Sequence, residues 1–184
     1  DTIEQPDARP ALRAPSDEVD VDQVFEKFKE GVRATVADSD AATHYDLGVA
    51  YKEMGLLEDA RNEFELASRD PQKACMCFAM IGMIHLEQGQ LEAATDAYIK
   101  ALEAEQKTVE QEMSLYYDLG VVYEMRADPK SALYYFEKIA RRDPGYRDVS
   151  ERIAALKLEP SGTKAVNDDD EFDAVFDGLF GRKG

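Results

Sequence analysis

Apolar residues recur along the middle of this chain with helical spacing, and the whole pattern then recurs on a longer period. Within THYDLGVAYKEMGLLEDARNEFELA (Thr43–Ala67), Leu47, Gly48 and Tyr51 share one face of a first helix, and Ala60, Phe64 and Ala67 share one face of a second. The order returns as Ile81, Gly82, His85, Ala94, Tyr98 and Ala101, and again as Leu119, Gly120, Tyr123, Ala132, Phe136 and Ile139. Gly48 to Gly82 is a step of 34 residues, and Gly82 to Gly120 is one of 38. A step of this size marks a stack of helix pairs, each unable to bury its apolar face without its neighbour.

Turn and cap chemistry sets the predicted bounds. Asp40 is the expected N-cap of a helix from about Ala41 to Met54, and Gly55 supplies the left-handed turn into a second helix from about Leu57 to Ser68. Asp70-Pro71 restarts the chain, with proline at the first helical position, where its missing N–H costs nothing. Gly89 marks the next turn, and a helix follows from about Leu91 to Glu105. The four extra residues of the longer step fall between Ala101 and Met113 and are expected to lengthen the helices by about one turn. Thr108 with Gln111 reads as a capping box, and Asp128-Pro129 and Asp143-Pro144 repeat the restart device. Gly48, Gly82 and Gly120 lie inside helices, where glycine costs about 1 kcal/mol, and are expected to let the partner helix approach closely.

The repeats resemble the tetratricopeptide repeat (TPR) family. The resemblance rests on His44, Leu47, Gly48, Tyr51, Ala60, Phe64 and Ala67, on their equivalents from Phe78 to Ala101 and from Tyr116 to Ile139, and on Pro144. It implies an all-α fold, a right-handed α-solenoid of three TPR helix hairpins over 41–145 (about 41–74, 75–108 and 113–145), with flanking helices at both ends. Residues 1–16, with three prolines and no periodicity, read as a disordered leader. Residues 17–37 read as an amphipathic helix whose apolar face is Val21, Val24, Phe25, Phe28, Val32 and Val36. Its expected role is to cover the open end of the stack, the alternative being packing on further repeats upstream. Residues 146–157 read as a C-terminal cap carrying Val149, Ile153 and Leu156. In the acidic segment 158–184, Phe172, Val175, Phe176, Leu179 and Phe180 form one stripe on a short helix. That stripe is expected to dock on its own array or to fold into a partner's groove, because so short a helix is marginal alone.

Charge and chemistry narrow the function. A net charge of −17 argues against nucleic acid and against an anionic membrane surface, and agrees with solubility or a basic protein partner. No apolar run reaches the length of a membrane span. The first residue is Asp1 rather than Met, as expected of a fragment or a processed chain. Cys75 and Cys77 are poorly placed to bridge each other, and free thiols favour a cytoplasmic location. Catalytic motifs are missing from the sequence, so an enzyme is not expected. His44 and His85 occupy repeat positions and read as packing residues. Cys75, Cys77 and His85 do not converge on a zinc ion, and Asp168–Asp170 lack the rest of a calcium loop, so neither metal nor cofactor is expected.

The resemblance implies that the first helix of each pair lines a concave face. Position by position that face is Ala42, Tyr45, Val49, Lys52 and Glu53, then Met76, Ala79, Met83, Leu86 and Glu87, then Ser114, Tyr117, Val121, Glu124 and Met125. It is apolar and rich in methionine, which suits an adaptable binding surface. The partner-binding candidates are Tyr45, Val49, Lys52, Met76, Met83, Leu86, Tyr117, Val121 and Met125. The competing reading has the groove filled by the N-terminal helix or the tail stripe. Family members that hold chaperone C-termini use cations and asparagines where this chain has Tyr45, Val49, Met80, Ser114 and Asp118, which argues against that partner. The expected function is a non-catalytic adaptor for a peptide, a helix or a small Ras-like GTPase. The repeat wording also resembles bacterial scaffolds of polarity, pilus and motility machinery. The alternative function is a self-assembling module in which the 172–180 stripe enters the groove of the same or another copy.

Overall fold

Side-chain caps and left-handed turns divide the chain into eight described helices. The structure is a computed structural model that describes residues 21–37 and 40–158; the expected leader and the Phe172–Phe180 stripe lie outside the described residues. The helices are α1 (Val21–Thr35), α2 (Ala41–Glu53), α3 (Leu57–Ala67), α4 (Pro71–Glu87), α5 (Leu91–Glu103), α6 (Val109–Met125), α7 (Pro129–Ala140) and α8 (Val149–Leu158). Asp40 accepts from the Thr43 N–H at 3.1 Å, Asp70 from Gln72 at 2.9 Å and Asp128 from Ser131 at 3.2 Å. Thr108 and Gln111 exchange both bonds of the capping box, at 2.7 and 3.2 Å.

Each hairpin turn is the same Schellman closure. The N–H groups of Leu56, Gln90 and Asp128 donate back to the carbonyls of Tyr51, His85 and Tyr123. The closure needs a left-handed residue, supplied by Gly55 (φ 78°), Gly89 (φ 71°) and, in the third hairpin, Ala127 (φ 56°). Leu56 and Gln90 then begin α3 and α5 without a side-chain cap.

Hairpins α2–α3, α4–α5 and α6–α7 stack in order, with α3 on α4, α5 on α6 and α7 on α8. Three clusters fill the joints, and each straddles a boundary between repeats. Tyr51, Ala60 and Phe64 meet Cys77, Ile81 and Ile84 in the first. Cys75, Ala94 and Tyr98 meet Leu115, Leu119 and Val122 in the second. Ala132, Phe136 and Ile139 meet Val149 in the third. Fully burying one such side chain is worth about 1.5–3 kcal/mol, so the stack rather than the single hairpin holds the fold. The helical glycines serve the packing within each hairpin, where each makes room for a ring of its partner helix. A Cβ on Gly48, Gly82 or Gly120 would come within 2.7 Å of Phe64, 2.7 Å of Tyr98 and 2.5 Å of Phe136.

Three expectations change. The apolar face of α1 divides: Phe25 packs on Tyr51 at 6.3 Å and Val32 and Val36 are half-buried, but Val24 and Phe28 are exposed. Lys29 takes the inward place instead, held by Asp59 at 3.2 Å and lying over Phe25. The extra residues after Ala101 extend α5 only to Glu103 and otherwise form the loop before Thr108. The last helix starts at Val149 rather than Tyr146, because Arg147, at φ 46°, breaks the run that Asp143 and Pro144 would otherwise start.

Candidate functional site

Successive hairpins also touch through α2 with α4 and α4 with α6, which places the first helices side by side on one wall. That wall carries the nine expected binding residues, and they divide by environment. Tyr45 packs edge-on against Phe64 at 5.5 Å beneath Lys73, and burial pushes its phenol up. Val49 leans on the first core cluster, Leu86 on the second and Val121 on the third. Lys52 reaches across the joint to Glu87 at 2.5 Å. Met76 is half-buried, whereas Met83 and Met125 are 40 % and 55 % exposed.

The C-terminal cap closes over Tyr117. Its ring meets Phe136 at 5.9 Å and Tyr146 at 6.2 Å, and its hydroxyl donates to Asp148 at 2.7 Å. Burial and that bond raise the phenol, and the same bond is the main reason the Asp148 carboxyl ionises lower than usual. Arg147 and Arg152 lie over the ring at 4.4 and 5.5 Å, and Arg152 also pairs with Glu124 and Asp148. These cap residues had no repeat signal in the sequence.

Asp118 is half-buried on α6. Burial pushes its carboxyl up to about 6, against a smaller opposing pull from Arg147. In the sequence it registered only as the wrong charge for a terminal-carboxylate clamp.

The histidines and cysteines take packing places. His44 Nδ1 lies 2.6 Å from Glu63 in the buried end of the first hairpin, and His85 Nδ1 lies 2.6 Å from Gln90. A hollow of about 340 Å³ between α1 and this hairpin is lined by Val32, Val36, His44 and Glu63 among others. Cys75 and Cys77 are both buried and face different core clusters, and burial pushes the Cys77 thiol up to about 12. Among the described residues no three metal-ligating side chains come together, and no helix is long and apolar enough to cross a membrane.

Comparison with known proteins agrees with this architecture. A tetratricopeptide repeat family model matches residues 75–144, and a second tetratricopeptide repeat model matches residues 41–69. A comparison with curated protein sequences found no match. Among solved structures, a crystal structure of MamA superposes with a TM-score of 0.58 at 22% identity, covering 73% of this chain and 75% of that one. A structure of YrrB, described as a TPR protein with an unusual peptide-binding site, gives 0.56 at 19% identity, covering 70% of this chain and 63% of that one. At these identities the likeness is one of fold. The two family models together span more than half of the chain, with the three glycine-on-ring joints inside them, and the chain belongs to the tetratricopeptide repeat family.

Proposed function

We propose that this protein is a non-catalytic adaptor that holds a protein segment, helical or extended, along the wall formed by α2, α4 and α6. One observation carries the reading: large flexible methionines, Met83 and Met125, stand exposed on that wall while the residues between them are tied into the core. Methionine adapts to varied shapes, and apolar surface left open beside a rigid stack favours docking. The family is one of interaction modules, and the peptide-binding site named for YrrB favours a segment over a folded GTPase as the occupant. The wording of the first repeat, THYDLGVAYKEMGLLEDA, which resembles bacterial TPR scaffolds, favours a polarity, pilus or motility assembly as its setting.

The structure also guides the choice of variants. Tyr45 and Tyr117 support the core, so changing them confuses binding with folding. Met83→Asp and Met125→Asp alter exposed positions only. Peptides selected from a displayed random library against the full chain should lose most of their affinity for this double variant, with its unfolding midpoint unchanged. Undiminished binding would remove the concave-wall reading.

The self-assembling alternative places the 172–180 stripe on this wall. The helices of this wall carry more carboxylates than cations, and the stripe follows Asp168, Asp169, Asp170 and Glu171. Like charges therefore favour a separate partner over the tail.

A further inference from the structure

Within the three hairpins each helical glycine seats a ring: Phe64 lies on Gly48, Tyr98 on Gly82 and Phe136 on Gly120. A fourth glycine, Gly31, stands inside α1, where glycine costs a helix about 1 kcal/mol relative to alanine. It is exposed, and a Cβ built on it would meet nothing within 4 Å. Val24 and Phe28, each 54 % exposed, precede it at helical spacing and share its face. Phe28 tilts against Phe25 at 6.2 Å, and Phe25 packs on Tyr51, so the exposed ring rests on a fixed base. Lys27 borders the same patch, one turn from Val24 and one from Gly31, and has no ion pair among the described residues.

An empty glycine seat, an exposed ring beside it and an unpaired cation suit an aromatic, acidic segment. The chain carries one. Phe172, Val175, Phe176, Leu179 and Phe180 follow Asp168–Glu171, with Asp173 and Asp177 between them. Charge directs that stripe to α1 rather than to the concave wall. In α1, Lys27, Lys29 and Arg33 balance Asp22, Glu26 and Glu30, whereas α6 carries Glu110, Glu112, Asp118 and Glu124 without a cation.

Reach decides whose tail it is. Residues 159–171 separate Leu158 from the stripe and span at most about 45 Å. Three hairpins stand between α8 and α1, about 40 Å at one packed-helix spacing per layer. The chain would have to run nearly straight to its own α1, at a large entropic cost, and a neighbour's α1 demands no such extension.

We propose that the outward face of α1 is the seat for residues 172–180 of a second copy of this chain. One phenylalanine fills the place over Gly31, another packs on Phe28, and the flanking carboxylates meet Lys27. Two copies that exchange tails satisfy both faces at once and close the assembly. The seat shares no residue with the concave wall, so the adaptor reading stands or falls separately.

The test reads the mass of the full chain in solution across concentration, by sedimentation. The full chain should form a dimer. Phe28→Asp and Gly31→Leu alter exposed positions, and each should weaken the dimer on the order of tenfold or more, as for an interface anchor. Gly31→Leu should also hold or raise the unfolding midpoint, because leucine is the better helix former, which separates a lost seat from a lost fold. A chain ended at residue 164 should be monomeric alone and should form an equimolar complex with Phe28→Asp, since one supplies the seat and the other the tail. A dimer that survives either substitution, or survives loss of the tail, overturns the proposal. So does a full chain that stays monomeric at every concentration; if its shortened form then binds the synthetic peptide 165–184, the tail belongs to its own copy. A dimer lost in the Met83→Asp, Met125→Asp double variant but kept in Phe28→Asp assigns the tail to the wall and overturns it too.

Discussion

Asp118 shows what one half-buried carboxylate costs the fold. Its carboxyl is raised from 3.8 to about 6, so between those values the folded state holds a proton that the unfolded state has released. A raised acid costs stability above its folded pKa, and the cost disappears as pH falls toward the unfolded value. The shift corresponds to about 2 kcal/mol at neutral pH once partial solvent screening is allowed for. Asp118→Asn should therefore raise the thermal midpoint at neutral pH, and the gain should shrink as the pH falls below about 6. Midpoints measured across that range check it, and a gain that grows in acid would show that burial is not the cause. Tyr98 was readable in the sequence as a core aromatic. The raised carboxyl of Asp118 was not, because it depends on how deeply the neighbouring elements bury it.

Among the elements, the hairpin turns separate what is strained from what is merely varied. Gly55 and Gly89 sit in the left-handed region at no steric cost, but Ala127 holds φ 56° with a Cβ. The Schellman bond from Asp128 to Tyr123 keeps it there. Ala127→Gly should stabilise the chain by about 1 kcal/mol, measured by denaturant midpoint at unchanged slope. A loss would mean that glycine's extra freedom in the unfolded chain outweighs the relief. The caps at Asp40, Asp70 and Thr108 were legible because they depend on residues within one turn. Asp143-Pro144 looked identical to Asp70-Pro71, and Asp143 accepts from Gly145 as Asp70 does from Gln72, yet Arg147 turns left-handed and the helix waits until Val149. A cap motif marks a possible start, and what the following residues pack against decides whether it is used.

For the molecule as a whole, charge and stacking work against each other. A net charge of −17 repels itself, while the ion pair between repeats, Lys52–Glu87, and the pair that joins the last repeat to α8, Arg152–Glu124, are partly exposed. Long-range repulsion is screened more readily than burial is weakened, so the thermal midpoint should rise from low to moderate ionic strength. A falling midpoint would show that the inter-repeat pairs outweigh the repulsion. The sequence alone determined the three hairpins, their order and their joints, since Gly48, Gly82 and Gly120 recur with Phe64, Tyr98 and Phe136 at a spacing that only a stack of helix pairs satisfies. Tertiary structure decided which face of α1 turns inward, that Arg147 and Asp148 before α8 close over Tyr117, and how far burial raises Asp118. The periodic signal comes from burial, which repeats with every hairpin. The pairings along the wall of first helices join residues about one repeat apart, as Lys52 joins Glu87 and Tyr117 joins Asp148, and no local pattern in the chain records them.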